Sequence, residues 1–345
     1  TTAYSYGLDF DLGALLTRPA ARAAARAHER SVDLDLLWQE WQTASQAQLL
    51  YVRLVGLRQR QDLLGREARL AAQRLRRQRA AAARGELPRS DADAQLARQQ
   101  ALLQQLAAGQ RVRAGLQAQL HALLGLAPDV PLRLADMPRP PEHDQAQVRA
   151  ALAHVADIRP DLRALRAGYR SQEQTLREAV LAQFPSISVG ISRARDNTDV
   201  NTLGFGVSFR LPLFNGSRGR IAVQRATRRE LFDAYQLRLD QTHADAEQAL
   251  RELDILERET ATLRSALPAL RAAEQAAQVA LARGEITLPQ AQAQRQAWLR
   301  QRLALQQVEQ HQAEQAVTLE LLTGSGLYRP APVADPARGP SPNHG

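Results

Sequence analysis

The feature that most constrains this chain is a tandem duplication. Residues 199 positions apart match one another: Gly7 with Gly206, Phe10 with Phe209, Leu12 with Leu211, and Gly125 with Gly324. Arg84-Gly85-Glu86 falls on Arg283-Gly284-Glu285, and Ala94-Gln95 falls on Ala293-Gln294. The alignment runs for about 120 residues without an insertion or deletion, which chance rarely supplies. Each copy reads as a strand, a long helix, a tip and a returning helix, so the chain must bury that unit twice.

The strands are read from a period of two. Between Phe184 and Phe214, Ile187, Val189 and Ile191 alternate with Ser186, Ser188, Gly190 and Ser192. After a polar turn, Leu203, Phe205, Val207, Phe209 and Leu211 alternate with Gly204, Gly206, Ser208 and Arg210. Near the start, Tyr4, Tyr6, Leu8, Phe10 and Leu12 alternate with Ser5, Gly7, Asp9 and Asp11. Such spacing puts every apolar side chain on one face of a sheet. Runs of about ten residues match a tilted strand crossing a bilayer.

The rest is helical. Thr17 is expected to cap a helix with Pro19 in its first turn, running to about Ala83. At about 1.5 Å per residue, such a helix reaches about 100 Å and must pack along its length. Gly85 suits a left-handed C-terminal turn, and Pro88 the start of the next helix. That helix carries Leu96, Leu103, Leu106, Leu116, Leu120 and Leu123 as a seam, closing a long helical hairpin. The predicted organisation is a first repeat at 1–125, a Pro-rich extended connector at 126–144 and a second repeat at 145–325. The second repeat holds a short helix near Gln145 to Val155 and a helix from Arg159-Pro160-Asp161-Leu162 into the hairpin. A helix capped by Ser217 and a return from about Pro289 to Leu322 complete it. The Pro-rich tail at 326–345 is expected to be disordered. The chain opens already inside a strand at Thr1-Thr2-Ala3-Tyr4, so a leading helix and strand and a signal peptide are expected upstream.

Composition narrows the function. All 45 basic residues are Arg, and the net charge of +9 is spread along helices beside Asp and Glu. No concentrated basic stripe or module for nucleic acid is visible. There is no Cys, hence no disulfide or thiolate metal site. No apolar run reaches 18 residues, the length of a membrane-spanning helix. The seven His (28, 121, 143, 154, 243, 311, 344) lack metal-ligand spacing and read as surface residues. No nucleotide loop, nucleophile motif or paired catalytic carboxylate is present, so the expectation is no enzyme and no cofactor.

Strands that are greasy on one side need a closed barrel, because open edges in lipid leave polar groups unpaired. One chain holds too few strands to close, so several chains must contribute. Here the sequence resembles the TolC family of outer-membrane efflux ducts, the outer membrane factors of tripartite pumps. The carrying residues are Arg159–Leu162, Phe184-Pro185-Ser186-Ile187-Ser188, and Leu211-Pro212-Leu213-Phe214-Asn215-Gly216 before a basic helix start. The two tips, each followed by an Ala/Gln-rich helix, agree with it, and the resemblance covers about residues 3 to 325. It implies a mainly α fold with membrane β-strands: a trimer whose β-barrel in the outer membrane continues into a helical barrel across the periplasm. The implied partners are two further copies of the chain, a periplasmic adaptor protein, outer membrane lipid, and an inner-membrane pump of RND, ABC or MFS type. The implied function is a passive conduit for efflux or type I secretion. A periplasmic adaptor and a soluble coiled-coil scaffold are the alternatives.

Within that resemblance, the lipid-facing strand residues are Tyr6, Leu8, Phe10, Val189, Ile191, Phe205, Val207 and Phe209. Those facing the pore are Ser188, Gly206, Ser208 and Arg210. Arg84, Gly85, Glu86, Arg283, Gly284 and Glu285 lie at the helix tips where adaptors dock, although a tip Gly also simply permits the turn. Relatives carry acidic residues past the second tip; here Gln290 and Ala293 stand there instead. Asp91 and Asp93 past the first tip read either as a cation-attracting gate or as ordinary first-turn acids. Pro268 inside the second long helix reads as a bend or as part of a superhelical curve.

Overall fold

The computed structural model describes residues 2–136, 145–210 and 217–324. In chain order the elements are β1 (Tyr4–Asp11), α1 (Gly13–Ala83), α2 (Arg89–Leu124), α3 (Gln145–Ala153), α4 (Val155–Ile158) and α5 (Pro160–Leu181). They continue with β2 (Ser186–Arg195), β3 (Asn201–Arg210), α6 (Arg218–Ala282) and α7 (Leu288–Thr323). The repeat recurs in the backbone. α2 and α7 are each 36 residues long, and their ends match at the 199-residue offset. Gly85 and Gly284 have φ of 76° and 72°, and Gly125 and Gly324 have φ of 64° and 67°. Each tip closes with the same bond, Glu86 N–H to Ala81 O and Glu285 N–H to Ala280 O, both 2.9 Å. That is the six-to-one bond of a helix ending on a left-handed residue, which Gly adopts without strain.

The chain forms two compact units. The first comprises Thr1–Glu40 and Ala153–Ala244. Its strands form an antiparallel sheet in the order β1-β2-β3. α5 packs on α1 through Leu34, Ala164 and Ala167, where small side chains let the backbones approach. Ser31 and Ser171 donate to Ala164 O and Ala24 O, each 2.9 Å, along the same seam. The start of α5 explains its Arg-Pro-Asp motif. Arg159 and Asp161 are buried and joined by two hydrogen bonds of 2.9 and 2.6 Å. The Arg159 guanidinium lies 4.6 Å over the Trp38 ring. Asp161 also complements the helix N-terminus, and Pro160 sits where no N–H partner is needed. Burial and the nearby Asp161 carboxylate push the Asp35 carboxyl up from its ordinary value.

The second unit comprises Trp41–Leu152 and Asp245–Gly345. Its core is a set of narrow seams. Leu50 and Leu54 of α1 meet Leu120 of α2, and Val52 meets Ala313 and Val317 of α7. Val148 and Leu152 of α3 pack on Ala246, Leu250, Leu253 and Leu319. Gly56 of α1 leaves room for the Gln310 side chain of α7. A Cβ there would stand 2.3 Å from Gln310 Oε1, and the Gly56 carbonyl accepts a 2.8 Å bond from Gln306.

Three expectations are corrected. α1 starts at Gly13, with Asp11 Oδ1 accepting its N–H at 2.8 Å, so Thr17 and Pro19 lie inside the helix. The short helix expected from Gln145 to Val155 ends at Ala153, and a separate turn, α4, begins at Val155. His121 is buried rather than superficial: its ring nitrogens lie 2.7 Å from Gln117 O and Val130 O. The readings at 137–144, at Leu211 to Gly216 and from 325 onward lie outside the described residues.

Candidate functional site

Register decides what the sheet can do. Phe10 pairs with Val189 and Val189 with Val207; Leu8 pairs with Ile191 and Ile191 with Phe205. Ile187 pairs with Phe209, and Tyr6 with Arg193, which pairs with Leu203. Directly paired residues share a face, so the apolar side chains of all three strands form one surface that is continuous from the Ile187 row to the Ile191 row, with Arg193 and Arg195 on the same face beyond it, towards the β2–β3 turn. That surface is bare: Leu8 and Leu203 are each 78% exposed, Phe205 72% and Phe209 64%. The opposite face carries Asp9 across from Gly190 and Gly206, Asp11 across from Ser188 and Ser208, and Gly7 across from Ser192 and Gly204. There the Asp9 carboxylate lies over Gly190, where a Cβ would stand 2.2 Å from Oδ1. Every described residue of the eight-member apolar set lies on the first face, and Ser188, Gly206 and Ser208 lie on the second. Among the described residues β1 and β3 each have one strand neighbour, leaving two open edges.

The helix tips are polar and fully accessible. Arg84 and Glu86 pair with each other at 2.6 Å, and Arg283 and Glu285 at 3.7 Å. The Arg84 hydrogen bond holds the Glu86 carboxyl below its usual range, and Glu86 raises the guanidinium in return. The tips therefore present closed ion pairs rather than free charges. Asp91 and Asp93 are exposed in the first turns of α2. Gln290 is a structural cap: its Oε1 accepts the Thr287 N–H at 2.8 Å, completing a capping box. No group of His, Cys, Asp and Glu able to hold a metal occurs among the described residues. Among them, no helix is long and apolar enough to cross a membrane.

The family model for outer membrane efflux proteins matches residues 149–325, more than half of the chain. The chain belongs to this family. Solved structures share its fold. The outer-membrane channel OprN superposes with a TM-score of 0.80 at 15% identity, covering 94% of this chain and 81% of that one. VceC from Vibrio cholerae gives 0.77 at 16% identity, covering 94% and 80%. The CmeC channel of Campylobacter jejuni gives 0.78 at 16% identity, covering 93% and 70%. No curated protein matches by sequence. The fold is that of TolC-like outer membrane channels, and membership of an outer membrane efflux family sets aside the adaptor and scaffold readings.

One cluster in this efflux-family chain escapes sequence reading. Arg295 of α7 donates to Glu67 of α1 at 2.9 and 2.6 Å and to Glu274 of α6 at 2.7 Å. Gln292 of α7 donates to Gln95 of α2 at 3.1 Å, and Gln95 donates to Ala71 O of α1 at 3.2 Å. Four helices are thereby joined within 8 to 18 residues of Gly85 and Gly284. Burial and the neighbouring Arg295 push the Arg74 guanidinium down beside it, while the Glu67 bond holds Arg295 up. The sequence signal is a charge inside an apolar stripe: Glu67 lies among Leu64, Ala68, Ala71 and Leu75, all buried.

Proposed function

We propose that this chain is the outer membrane conduit of a tripartite efflux or type I secretion system, working as a homotrimer. The observation that carries the reading is the sheet whose face from the Ile187 row to the Ile191 row is apolar across all three strands and bare to solvent, with two open edges among the described residues. In lipid, open edges leave backbone groups unpaired at several kcal/mol each, so strands of further copies must close the barrel. On this reading Tyr6, Leu8, Phe10, Val189, Ile191, Phe205, Val207 and Phe209 meet outer membrane lipid, and Ser188, Gly206, Ser208 and Arg210 line the lumen. The two helical hairpins then extend into the periplasm as the wall of a tunnel. Their tips, at Arg84, Gly85, Glu86, Arg283, Gly284 and Glu285, receive a periplasmic adaptor that links the conduit to an RND, ABC or MFS pump. Transport is passive; the pump supplies the energy.

Because Gly284 sits at φ 72°, Asp there strains the turn and adds charge at the mouth. Gly284→Asp is expected to abolish cysteine crosslinking between the tip and the adaptor while detergent-extracted trimers persist. Undiminished crosslinking contradicts tip docking; a monomer in wild-type extracts contradicts the trimer.

A further inference from the structure

Two long helices flank the sheet: α6 starts without an acidic residue in its first turn, and α1 follows Asp11, whose carboxylate accepts the Gly13 N–H. From Leu12 to His28 the charged side chains are Arg18, Arg22 and Arg26. From Ser217 to Arg229 they are Arg218, Arg220, Arg225, Arg228 and Arg229. A helix N-terminus carries about half a positive charge and favours acids, as Asp91, Asp157 and Asp161 show in α2, α4 and α5. Arginine there is disfavoured unless an anion compensates. Arg228 is occupied, donating to the Tyr169 hydroxyl at 2.9 Å, while the other seven are exposed.

Their arrangement is ordered. At about 100° per residue, Arg18, Arg22 and Arg26 share one face of α1 with Leu15, which is 50% exposed. Arg218, Arg225 and Arg229 share one face of α6 in the same way. Arg26 matches Arg225, and Arg30 matches Arg229, at the repeat offset, so both copies present the feature. α5 holds the two faces at one level beside the sheet: Ser171 bonds to Ala24 O on α1 and Gln172 to Gln224 O on α6. α5 itself adds Glu173, Arg177 and Glu178, which leaves the level strongly positive. Along β1 into α1 the order is an apolar strand face, then exposed Leu12, Leu15 and Leu16, then the arginines. That is the order in which a bilayer passes from hydrocarbon to headgroup. Arg18 lies about 8 Å along the helix from Gly13, a rise close to the depth of one headgroup layer.

We propose that this arginine collar, Arg18, Arg22, Arg26, Arg218, Arg225 and Arg229, docks on anionic phospholipid headgroups at the helix-side margin of the bilayer. It rests on the reading of the sheet as membrane-embedded. A phosphodiester supplies the counter-anion for the clustered guanidiniums, and the adjoining leucines fix the depth at which it is met. Non-specific attraction of a basic chain would involve every exposed Arg equally; the collar confines it to one level.

The test is co-flotation of the full chain, diluted from detergent, with phosphatidylcholine vesicles or vesicles containing about 30% phosphatidylglycerol. Wild type is expected to partition about tenfold more strongly onto the anionic vesicles at low salt, with the excess vanishing near 0.5 M salt, where screening is short-ranged (about a few Å). Changing Arg18, Arg22, Arg218 and Arg225 together to Gln should remove the excess, and changing the same four to Lys should keep it. Changing Arg111 and Arg113, exposed on α2, to Gln should leave it intact. Equal partition onto both vesicles, or equal loss from the Arg111 and Arg113 changes, overturns the collar while the embedded sheet stands. No flotation with either vesicle overturns the embedded sheet itself.

Discussion

Glu67 sits inside the apolar stripe of α1 and is stable there because Arg295 reaches it through two hydrogen bonds. Removing Glu67 leaves Arg295 with only the Glu274 carboxylate, and breaking such a buried ionic contact costs about 3 kcal/mol, whereas replacing every charge of the group with apolar residues is often neutral. Glu67→Ala is therefore expected to lower stability by about 3 kcal/mol in denaturant unfolding followed by helical circular dichroism. Glu67→Leu and Glu274→Leu combined with Arg295→Met, which removes all three charges together, should recover most of that loss; a neutral single change would show that the cluster holds nothing. His121 poses a different residue-scale problem. Both its ring nitrogens face carbonyl oxygens, and only the imidazolium can donate to both. The Val130 and Gln117 carbonyls, opposed by burial and aided by Asp129, raise its pKa above the ordinary 6.5. A raised folded value means the contribution is complete below about 6.5 and is lost as pH rises through the folded value. The stretch around Val130 should resist proteolysis better near pH 5.5 than near pH 8.5, and His121→Gln should erase that difference. Equal cleavage at both pH values would refute the tether.

Among the elements, legibility followed periodicity. The strands were readable because a period of two survives any packing, and the tips because Gly at φ above 70° repeats 199 residues later. The ends of α2 and α7 fell where Gly125 and Gly324 stand, since a left-handed residue stops a helix on local grounds alone. The start of α1 was misplaced because Thr17 and Pro19 look like a cap and first turn. The actual cap, Asp11, is still in the strand pattern, and it accepts the Gly13 N–H only once the chain has turned. His121 and the Glu67–Arg295–Glu274 cluster were hidden for the same reason: their partners are many residues away or are backbone carbonyls. Sequence showed which residue types were present but not which helices would bring them together. The tip charges were legible as residues, but not the pairing of Arg84 with Glu86 and of Arg283 with Glu285, which depends on the turn each Gly makes.

On the proposed reading, a membrane sheet, helical hairpins and a threefold assembly form one conduit. On that reading Asp91 and Asp93 would each occur three times around the periplasmic mouth, and a ring of carboxylates favours cations. Asp91→Asn is expected to reduce the cation preference of single channels in planar bilayers; unchanged selectivity would leave Asp91 as an ordinary first-turn acid. The central claim is that one face of the sheet meets lipid and the other meets water. With no cysteine in the chain, single-cysteine labels report one position each. A fluorescent probe at Leu8→Cys, Phe205→Cys or Val207→Cys should be quenched by nitroxide-bearing lipids in reconstituted vesicles. The same probe at Ser188→Cys, Gly206→Cys or Ser208→Cys should instead be quenched by a water-soluble reagent. Alternation with a period of two along β3 is the predicted result; quenching that ignores the alternation, or none from lipid at any position, would contradict the account.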